Sequence, residues 1–276
     1  MIIDFHTHNF PDALAPKAVA ALTRQLQGAF PPVADGTVSA QLRDMDAAGV
    51  DLSVVCPIAT KPTQFDVILR RSVAVREGAE GEEAARRLLF LASIHPFDPD
   101  FAAHARTIAE AGIPGIVVHP YYQNISLDDP VVWPTFAAAR DNGLFVMSHC
   151  GNDAGYPNAP ACCSPIQIEK LLNAVPDLTF VACHLGGFDG SPIHAVDRLL
   201  PFEKCFIDTA RIANQDDNPE ADRIVAEWPA DRMLFGTDYF WRDERLLADW
   251  VNNARPDEAE REHIFHHNAE RLLGRA

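Results

Sequence analysis

The sequence predicts a (β/α)8 barrel, and three observations predict it. Eight strand-like apolar runs alternate with helical segments along the 276 residues. Successive runs begin 26 to 49 residues apart, the length of a strand followed by a helix. The runs are nearly continuous in apolar residues, as in parallel strands that are buried on both faces. They begin near Ile2, Asp51, Leu88, Pro114, Leu144, Leu178, Lys204 and Arg232.

A doubly wound open sheet is the competing architecture, and no specific motif supports it. The glycine pattern Gly-x-Gly-x-x-Gly, which marks the first turn of many such folds, follows none of the runs. No linker, repeat or low-complexity block divides the chain. We therefore expect residues 1–276 to form a single domain, with all eight units in one α/β barrel.

The first strand carries a pair of histidines. Ile2, Ile3 and Phe5 form a short apolar run that ends in His6 and His8. Because residues two apart in a strand point to the same face, both imidazoles can converge on one point, as a metal ion requires. The stretch 9–37 that follows is too long for a bare connection. We expect a long loop there, on the side of the barrel where active sites lie.

The helices between the strands are predicted from apolar stripes and end signals. Val38, Leu42 and Met45 share one helical face, and Gly49 follows as a stop. A capping-box pattern with proline at the first helical position opens another helix at Ser164. Further helices are predicted from Asp129-Pro130, around 101–112, near 224 and near 246. Residues 150–163 form a second long loop, and an extra helix over 258–273 is expected to pack across the barrel's exterior.

Composition and charge limit the classes of function. Hydrophobic residues make up 47% of the chain, enough for a large core, and the net charge is −16. An acidic surface repels nucleic acids and anionic membranes, so neither is an expected partner. No apolar run is long enough to span a membrane, and the start of the chain does not resemble a signal peptide. The six cysteines form no disulfide framework, so we expect a reduced, cytoplasmic protein whose partner is a small molecule. A homodimer is an open alternative to a monomer.

Polar side chains recur where the predicted strands end. A single histidine in such a place is more often a hydrogen-bonded structural residue than a ligand. Several histidines and aspartates at one rim would be costly to desolvate without a shared partner, and zinc-type sites use these ligands. The residues are His6, His8, His95, His119, His149, His184, Asp208 and Asp238.

Four motifs in this order resemble the amidohydrolase superfamily. More narrowly, they are similar to its branch that includes aminocarboxymuconate-semialdehyde decarboxylase, related aromatic-acid decarboxylases and lactone hydrolases. The resemblance covers the whole chain, including the ending Asn268-Ala269-Glu270-Arg271-Leu272. The motifs are Asp4-Phe5-His6-Thr7-His8, Ser148-His149-Cys150-Gly151, His184-Leu185-Gly186-Gly187 and Phe235-Gly236-Thr237-Asp238-Tyr239.

The resemblance implies one divalent metal ion, most often zinc. It assigns the ligands to His6, His8, His149 and Asp238. It also implies that Asp238 carries a proton and that His184 acts beside the metal as an acid, a base or an electrostatic stabiliser. Binuclear members have a lysine at the end of strand 4, whereas this chain has His119. That departure favours one ion, and a second ion held by His119 and His184 stays open.

Substrate-binding residues are predicted after several strands. Arg211 and Arg242 can bind a carboxylate through paired hydrogen bonds, and each can equally be a surface arginine. Tyr121 and Trp241 can form the walls of a pocket for an aromatic or cyclic substrate, or simply pack at the rim. Asp208 can orient a metal-binding histidine.

Two reactions fit this set of candidate metal-binding and catalytic residues. The first is hydrolysis of a small cyclic ester, lactone or amide by metal-activated water, with Asp238 as base and His184 stabilising charge. The alternative is non-oxidative decarboxylation of an aromatic or unsaturated acid, with Asp238 or His184 delivering a proton to carbon. A non-catalytic metal-binding barrel is the third hypothesis, and it would have a saturated metal sphere without an open cleft. The sequence favours hydrolysis weakly, because no residue commits the chain to decarboxylation.

Overall fold

The protein forms a barrel of eight parallel strands. The structure is a computed structural model that describes residues 1–28, 31–188, 194–210 and 218–275. Each strand begins within two residues of its predicted start. The strands are β1 (Ile3–Thr7), β2 (Leu52–Val55), β3 (Leu88–Phe90), β4 (Gly115–Val118), β5 (Phe145–Ser148), β6 (Phe180–Ala182), β7 (Cys205–Asp208) and β8 (Met233–Leu234).

Hydrogen bonds close the barrel at two seams. Strands β1 to β3 and β4 to β8 form two parallel sheets in chain order. Ala92, just past β3, pairs with Ile116 of β4 and joins the sheets on one side. On the other side, the Phe5 amide donates to the Phe235 carbonyl over 2.8 Å, and the Asp238 amide donates to the His6 carbonyl over 2.8 Å. The predicted (β/α)8 architecture is therefore confirmed.

Helices surround the strands, and several begin or end at the predicted signals. Helix α2 (Val38–Ala48) ends at Gly49 as predicted, in the left-handed conformation, and the Thr37 side chain caps its start. Ser164 forms the predicted capping box with Gln167. Asp129-Pro130 makes a turn instead, because the Val132 amide bonds back to the Asp129 carbonyl, and the helix starts at Trp133. The helices are α1 (Ala15–Gln25), α2 (Val38–Ala48), α3 (Phe65–Arg76), α4 (Glu82–Arg87), α5 (Phe101–Glu110), α6 (Pro120–Gln123), α7 (Trp133–Asp141), α8 (Pro165–Ala174), α9 (Cys183–Gly187), α10 (His194–Asp197), α11 (Pro219–Glu227), α12 (Glu244–Ala254), α13 (Glu258–Glu262) and α14 (Asn268–Leu273).

Two predictions about connecting segments need correction. The stretch after β1 is not a bare loop, because it contains helix α1, which has about three turns and is roughly 16 Å long. The C-terminal helical region does not pack only on the exterior. Its residues Ala269 and Leu273 join the apolar cluster inside the barrel, with Ile3 and Phe206. In the part of the chain that the structure describes, no helix is both long and apolar enough to cross a membrane.

Candidate active site

The two histidines of the first strand meet at the carboxyl end of the barrel. His6 Nδ1 lies 2.8 Å from Asp208 Oδ2, and His8 Nδ1 lies 2.9 Å from the Cys56 carbonyl oxygen. Neither oxygen carries a proton to give, so each Nδ1 is the donor. In the neutral form of each ring, Nε2 therefore carries the lone pair and faces the cavity. Asp208 thus orients His6 as the sequence predicts.

Asp238 lies beside both of these nitrogens. Its Oδ1 is 3.2 Å from His8 Nε2 and 3.6 Å from His6 Nε2. The ligand-type atoms of these three residues all lie within 4.8 Å of one another. Three of the four predicted metal-binding residues are therefore brought together.

A buried network holds β1 and β8 in register beneath this group. Asp4 Oδ2 accepts a hydrogen bond of 2.5 Å from the Thr237 hydroxyl, and Asp4 Oδ1 accepts from the amides of Thr237 and His6, both over 3.1 Å. Gly236 lies so close to His6 that a Cβ on the glycine would be 2.9 Å from the histidine Cβ. Only glycine leaves room for the histidine at this crossing.

His184 lies on a left-handed turn after β6. Its backbone φ and ψ are both 58°, and Leu185 and Gly186 are also left-handed. A left-handed residue other than glycine costs about 1–2 kcal/mol, so the surrounding contacts must hold this turn. One such contact is the His184 amide, which donates to Asp208 Oδ1 over 2.7 Å. Asp208 therefore supports His6 with one oxygen and the His184 turn with the other.

A chain of ring nitrogens connects His184 to His149. His184 Nδ1 lies 3.3 Å from the Ala210 carbonyl oxygen, and its Nε2 lies 2.9 Å from His149 Nδ1. Because the carbonyl can only accept, His184 Nδ1 is the donor, and His149 Nδ1 must then donate to His184 Nε2. This leaves His149 Nε2 with a lone pair. That atom is buried, and no residue in the described ranges forms a hydrogen bond with it.

His149 belongs to a second group of possible ligands. One ligand-type atom from each of His119, His149 and Asp153 lies within 4.8 Å of the other two. The His119 ring stacks between Tyr122, at a centroid distance of 3.7 Å, and His149, at 4.1 Å. His119 Nε2 is 3.3 Å from Asp153 Oδ2. The structure thus groups His149 with His119 and Asp153. The sequence instead predicted that His149 would bind the same metal ion as His6 and His8.

The ionisable groups differ in charge according to their surroundings. Burial lowers the pKa of His6, but contacts with Asp208 outweigh that effect and raise it to about 9. Burial opposes ionisation of Asp238, but His8 and His6 outweigh it and lower its pKa to about 2. Burial lowers the pKa of His149 well below its ordinary value. The ionised Asp238 carboxylate, the unpartnered His149 Nε2 and the imidazoles of His8 and His6 form a donor set that suits a divalent cation, which would displace the proton that His6 holds near neutral pH.

A cavity of about 540 Å³ opens onto both groups. Trp241 and Arg242 line it as predicted, together with Tyr122, Tyr156 and Phe240. Tyr121 is not among the lining residues. It packs behind the wall, where its ring stacks on that of Tyr156 at a centroid distance of 5.5 Å, so the alternative of simple packing describes Tyr121. The predicted Arg211 lies outside the described residues.

Asp153 and Tyr156 are site residues that the sequence did not single out. Both lie in the loop 150–163, and Asp153 is 7% exposed. The length of that loop was the available signal, because long loops after barrel strands often carry function. The identity of the residues that turn inward could not be deduced, since a loop has no periodicity.

Comparison with known proteins identifies the family. The family model described as Amidohydrolase matches residues 3–275. Comparison with curated proteins gives no significant match. Among solved structures, 2,6-dihydroxybenzoate decarboxylase complexed with 2,6-dihydroxybenzoate is 18% identical, with a TM-score of 0.71 over 99% of both chains. A probable 2-pyrone-4,6-dicarboxylic acid hydrolase from Acinetobacter baumannii, with citric acid bound, is 16% identical, with a TM-score of 0.67 over 99% of both chains.

A third solved structure holds a metal ion. It is 5-carboxyvanillate decarboxylase from Novosphingobium aromaticivorans with bound manganese and 3-methoxy-4-hydroxy-5-nitrobenzoic acid. It is 14% identical, with a TM-score of 0.66 over 99% of this chain and 97% of that chain. At these identities the structural matches show the fold alone. The family match covers nearly the whole chain, and the motif resemblance agrees with it: the chain belongs to the amidohydrolase family.

Proposed function

We propose that the protein is a metal-dependent carboxy-lyase that removes carbon dioxide from an aromatic or unsaturated carboxylic acid without an oxidant. The observation that carries this proposal is the opening of the His6, His8 and Asp238 group into a cavity with aromatic walls and an arginine, Arg242. The two solved decarboxylases support it as relatives in fold. This reverses the order of preference that the sequence suggested, in which hydrolysis came first.

The ligand set of the metal is part of the proposal. His6, His8 and Asp238 are the ligands that the geometry favours, and His149 remains the predicted fourth, since its Nε2 lone pair has no partner among the described residues. A divalent ion bound there supplies a Lewis acid that polarises the oxygens of the substrate. Zinc is the ion that the sequence predicts, and manganese is a second choice because a relative in fold binds it. One ion per chain is expected, and a second ion at His119 stays the alternative.

The residues around the cavity can bind and orient an aromatic acid. The rings of Tyr122, Tyr156 and Trp241 offer flat apolar surfaces to a substrate ring and exclude water from it. Arg242 can pair with a substrate carboxylate. When the carboxylate leaves as carbon dioxide, the electron pair of the broken bond stays on carbon and one proton must be delivered there. Asp238 and His184 are the proposed proton carriers.

Hydrolysis is the second candidate, and one observation favours it. The contacts with His8 and His6 keep Asp238 ionised, with a pKa of about 2. An ionised carboxylate accepts a proton from water more readily than it donates one to carbon. The hydrolase from Acinetobacter baumannii is the relative in fold that fits this reaction. A non-catalytic barrel fits least well, because a structural metal site is closed, whereas a cavity of about 540 Å³ adjoins this group.

Product analysis of the metal-loaded enzyme distinguishes these reactions. Purified protein is supplied with zinc or manganese and incubated with hydroxylated benzoic acids labelled with ¹³C at the carboxyl group, and separately with lactones in ¹⁸O water. We expect labelled carbon dioxide from an acid. Entry of ¹⁸O into an opened lactone without carbon dioxide release would instead establish a hydrolase.

Two variants make the experiment specific to the cavity. Asp238→Asn should abolish product formation. The matched control is His95→Asn, because His95 is also a buried histidine after a barrel strand but is not among the residues that line the cavity. It should retain activity close to that of the wild-type enzyme. Equal loss in both variants would indicate general damage to the fold rather than a role in the reaction.

A further inference from the structure

A buried glutamate lies away from the proposed active site, at the start of helix α12. Glu244 is the first residue of this helix and is only 3% exposed. Neither of its carboxylate oxygens has a hydrogen-bond partner among the described residues. A buried carboxylate without a partner is costly, because it loses its water without compensation. A proton or a cation that the protein chain does not provide is therefore expected to face these oxygens.

Glu244 lines a separate small cavity of about 190 Å³. Two more acids, Asp44 of α2 and Asp243, line the same space, and Arg245 is the one basic residue among the described lining residues. The hydroxyl of Tyr239 also lines it and donates to Asp44 over 2.8 Å. The formal charge of this wall is −2, from three acids and one arginine. This small cavity therefore lacks the positive charge that would balance its acidic residues.

The neighbouring groups do not neutralise Glu244. The Asp243 side chain caps α12 by accepting from the amides of Arg245 and Leu246, so it remains an acceptor. Arg87, a cation whose charge acts on Glu244, is already paired with Asp46 at 2.5 Å and with Glu83 at 2.9 Å. Burial first, and then the charges of Asp4, Asp44 and Asp243, raise the pKa of Glu244 to about 9. This carboxyl group therefore holds a proton unless another cation replaces it.

We propose that this cavity binds a small monovalent cation, potassium or ammonium, with Glu244 as the principal ligand. Zinc and magnesium need several ligands at about 2.0–2.3 Å, so the ligand atoms must lie close together. In the described ranges, no group of three possible ligands within 4.8 Å of one another includes Glu244. A larger ion of lower charge tolerates such spacing and fits a space of about 190 Å³. The partial positive charge at the start of α12 stabilises ionised Glu244.

The test uses the thermal stability of the full-length, metal-loaded protein. The melting temperature Tm is measured in potassium, ammonium and choline chlorides at matched ionic strength, because choline is too bulky for the cavity. A cation at ten times its Kd shifts the folding equilibrium about elevenfold, which raises Tm by about 3 °C. We expect this saturable rise with potassium or ammonium and its loss in Glu244→Gln. Equal Tm values in all three salts would overturn the proposal.

The chain offers a matched control. Glu258 is also the first residue of a helix and also follows a capping aspartate, Asp257, but it is exposed. Glu258→Gln should keep the response of the wild-type protein. If Glu244→Gln raises Tm equally in every salt, Glu244 holds a proton and the proposal fails. Crystals soaked in rubidium provide a second readout that does not depend on a variant: an anomalous peak beside Glu244 is expected, and its absence at saturating rubidium would overturn the assignment.

Discussion

The clearest prediction concerns Asp208, which reaches two functional histidines at once. Its Oδ1 accepts from the amides of His184, over 2.7 Å, and Ala210, over 3.2 Å. Its Oδ2 accepts from His6 Nδ1 over 2.8 Å. In Asp208→Asn, the amide oxygen must stay toward the two backbone donors, so the NH₂ group turns toward His6. His6 Nδ1 then becomes an acceptor, and the proton of the ring moves to Nε2, where the metal is expected.

In the metal-loaded protein, the expected effect of this substitution is weaker metal binding. The substitution keeps the size of a side chain that is fully buried, and both backbone hydrogen bonds survive. Metal binding now requires the disfavoured tautomer, with two donors facing each other across the His6–Asp208 contact. Loss of a partner that orients a metal-binding histidine lowers metal affinity about 10–100-fold. This corresponds to about 1.4–2.7 kcal/mol of binding free energy.

Competition with a chelator of known affinity measures the dissociation constant directly. Asp98→Asn is the matched control, because Asp98 also accepts from a histidine, His104 Nδ1 at 2.7 Å, and from a backbone amide, that of Asp100 at 2.9 Å. The control should bind metal as tightly as the wild-type protein. If Asp208→Asn also binds with unchanged affinity, the argument from the tautomer of His6 is refuted.

Three further predictions follow. Asp238→Asn should retain some metal but lower turnover about a hundredfold or more. His184→Asn should keep its metal content and lose turnover. If His184→Asn loses an ion in elemental analysis, the centre is better described as binuclear. Gly236→Ala should lower the free energy of unfolding by about 1–3 kcal/mol in urea titrations, because its Cβ would lie 2.9 Å from that of His6, and unchanged stability would show that the contact relaxes. In the metal-free protein, the pKa of His6 is raised to about 9. The stability that comes from its pair with Asp208 is therefore fully present below about pH 6.5 and is lost as the pH rises through 9. Unfolding of chelator-treated protein should show this decline, and Asp208→Asn should flatten it.

The fold was predictable because its signals are periodic and local. Apolar runs of strand length, separated by helical stripes, identified all eight strands, Gly49 marked the end of one helix, and the capping box at Ser164 marked the start of another. The one misplaced start, at Asp129-Pro130, carries the residues of a helix cap, but those residues serve a turn equally well. Helix α1 carries an apolar stripe that includes Ala15 and Val19, and it was missed because the stretch was assigned as a loop from its length.

The candidate site was only partly predictable. Strand alternation brought His6 and His8 to one point, and Asp208 and Asp238 followed from their places after strands. Side-chain direction away from the strands was not deducible. Tyr121 and Tyr122 are neighbours on a four-residue helix, too short to show which face is inward, and Tyr122 lines the cavity. His149 turns toward Asp153 because of tertiary contacts that no local pattern reveals. Zinc as the metal, the single-domain organisation and a homodimer remain predictions.

The seam between β8 and β1 affects when the candidate metal-binding group can form during synthesis and folding. His6 and His8 leave the ribosome some 230 residues before Asp238 does. Closing so long a chain segment is entropically costly, and the barrel cannot offer a complete metal group until it happens. Metal binding at this seam would therefore reward only chains that have closed the ring. A chain that stops before β8 would keep its histidines and still lack the carboxylate, so tight metal binding would indicate that β8 has been made and that the ring has closed.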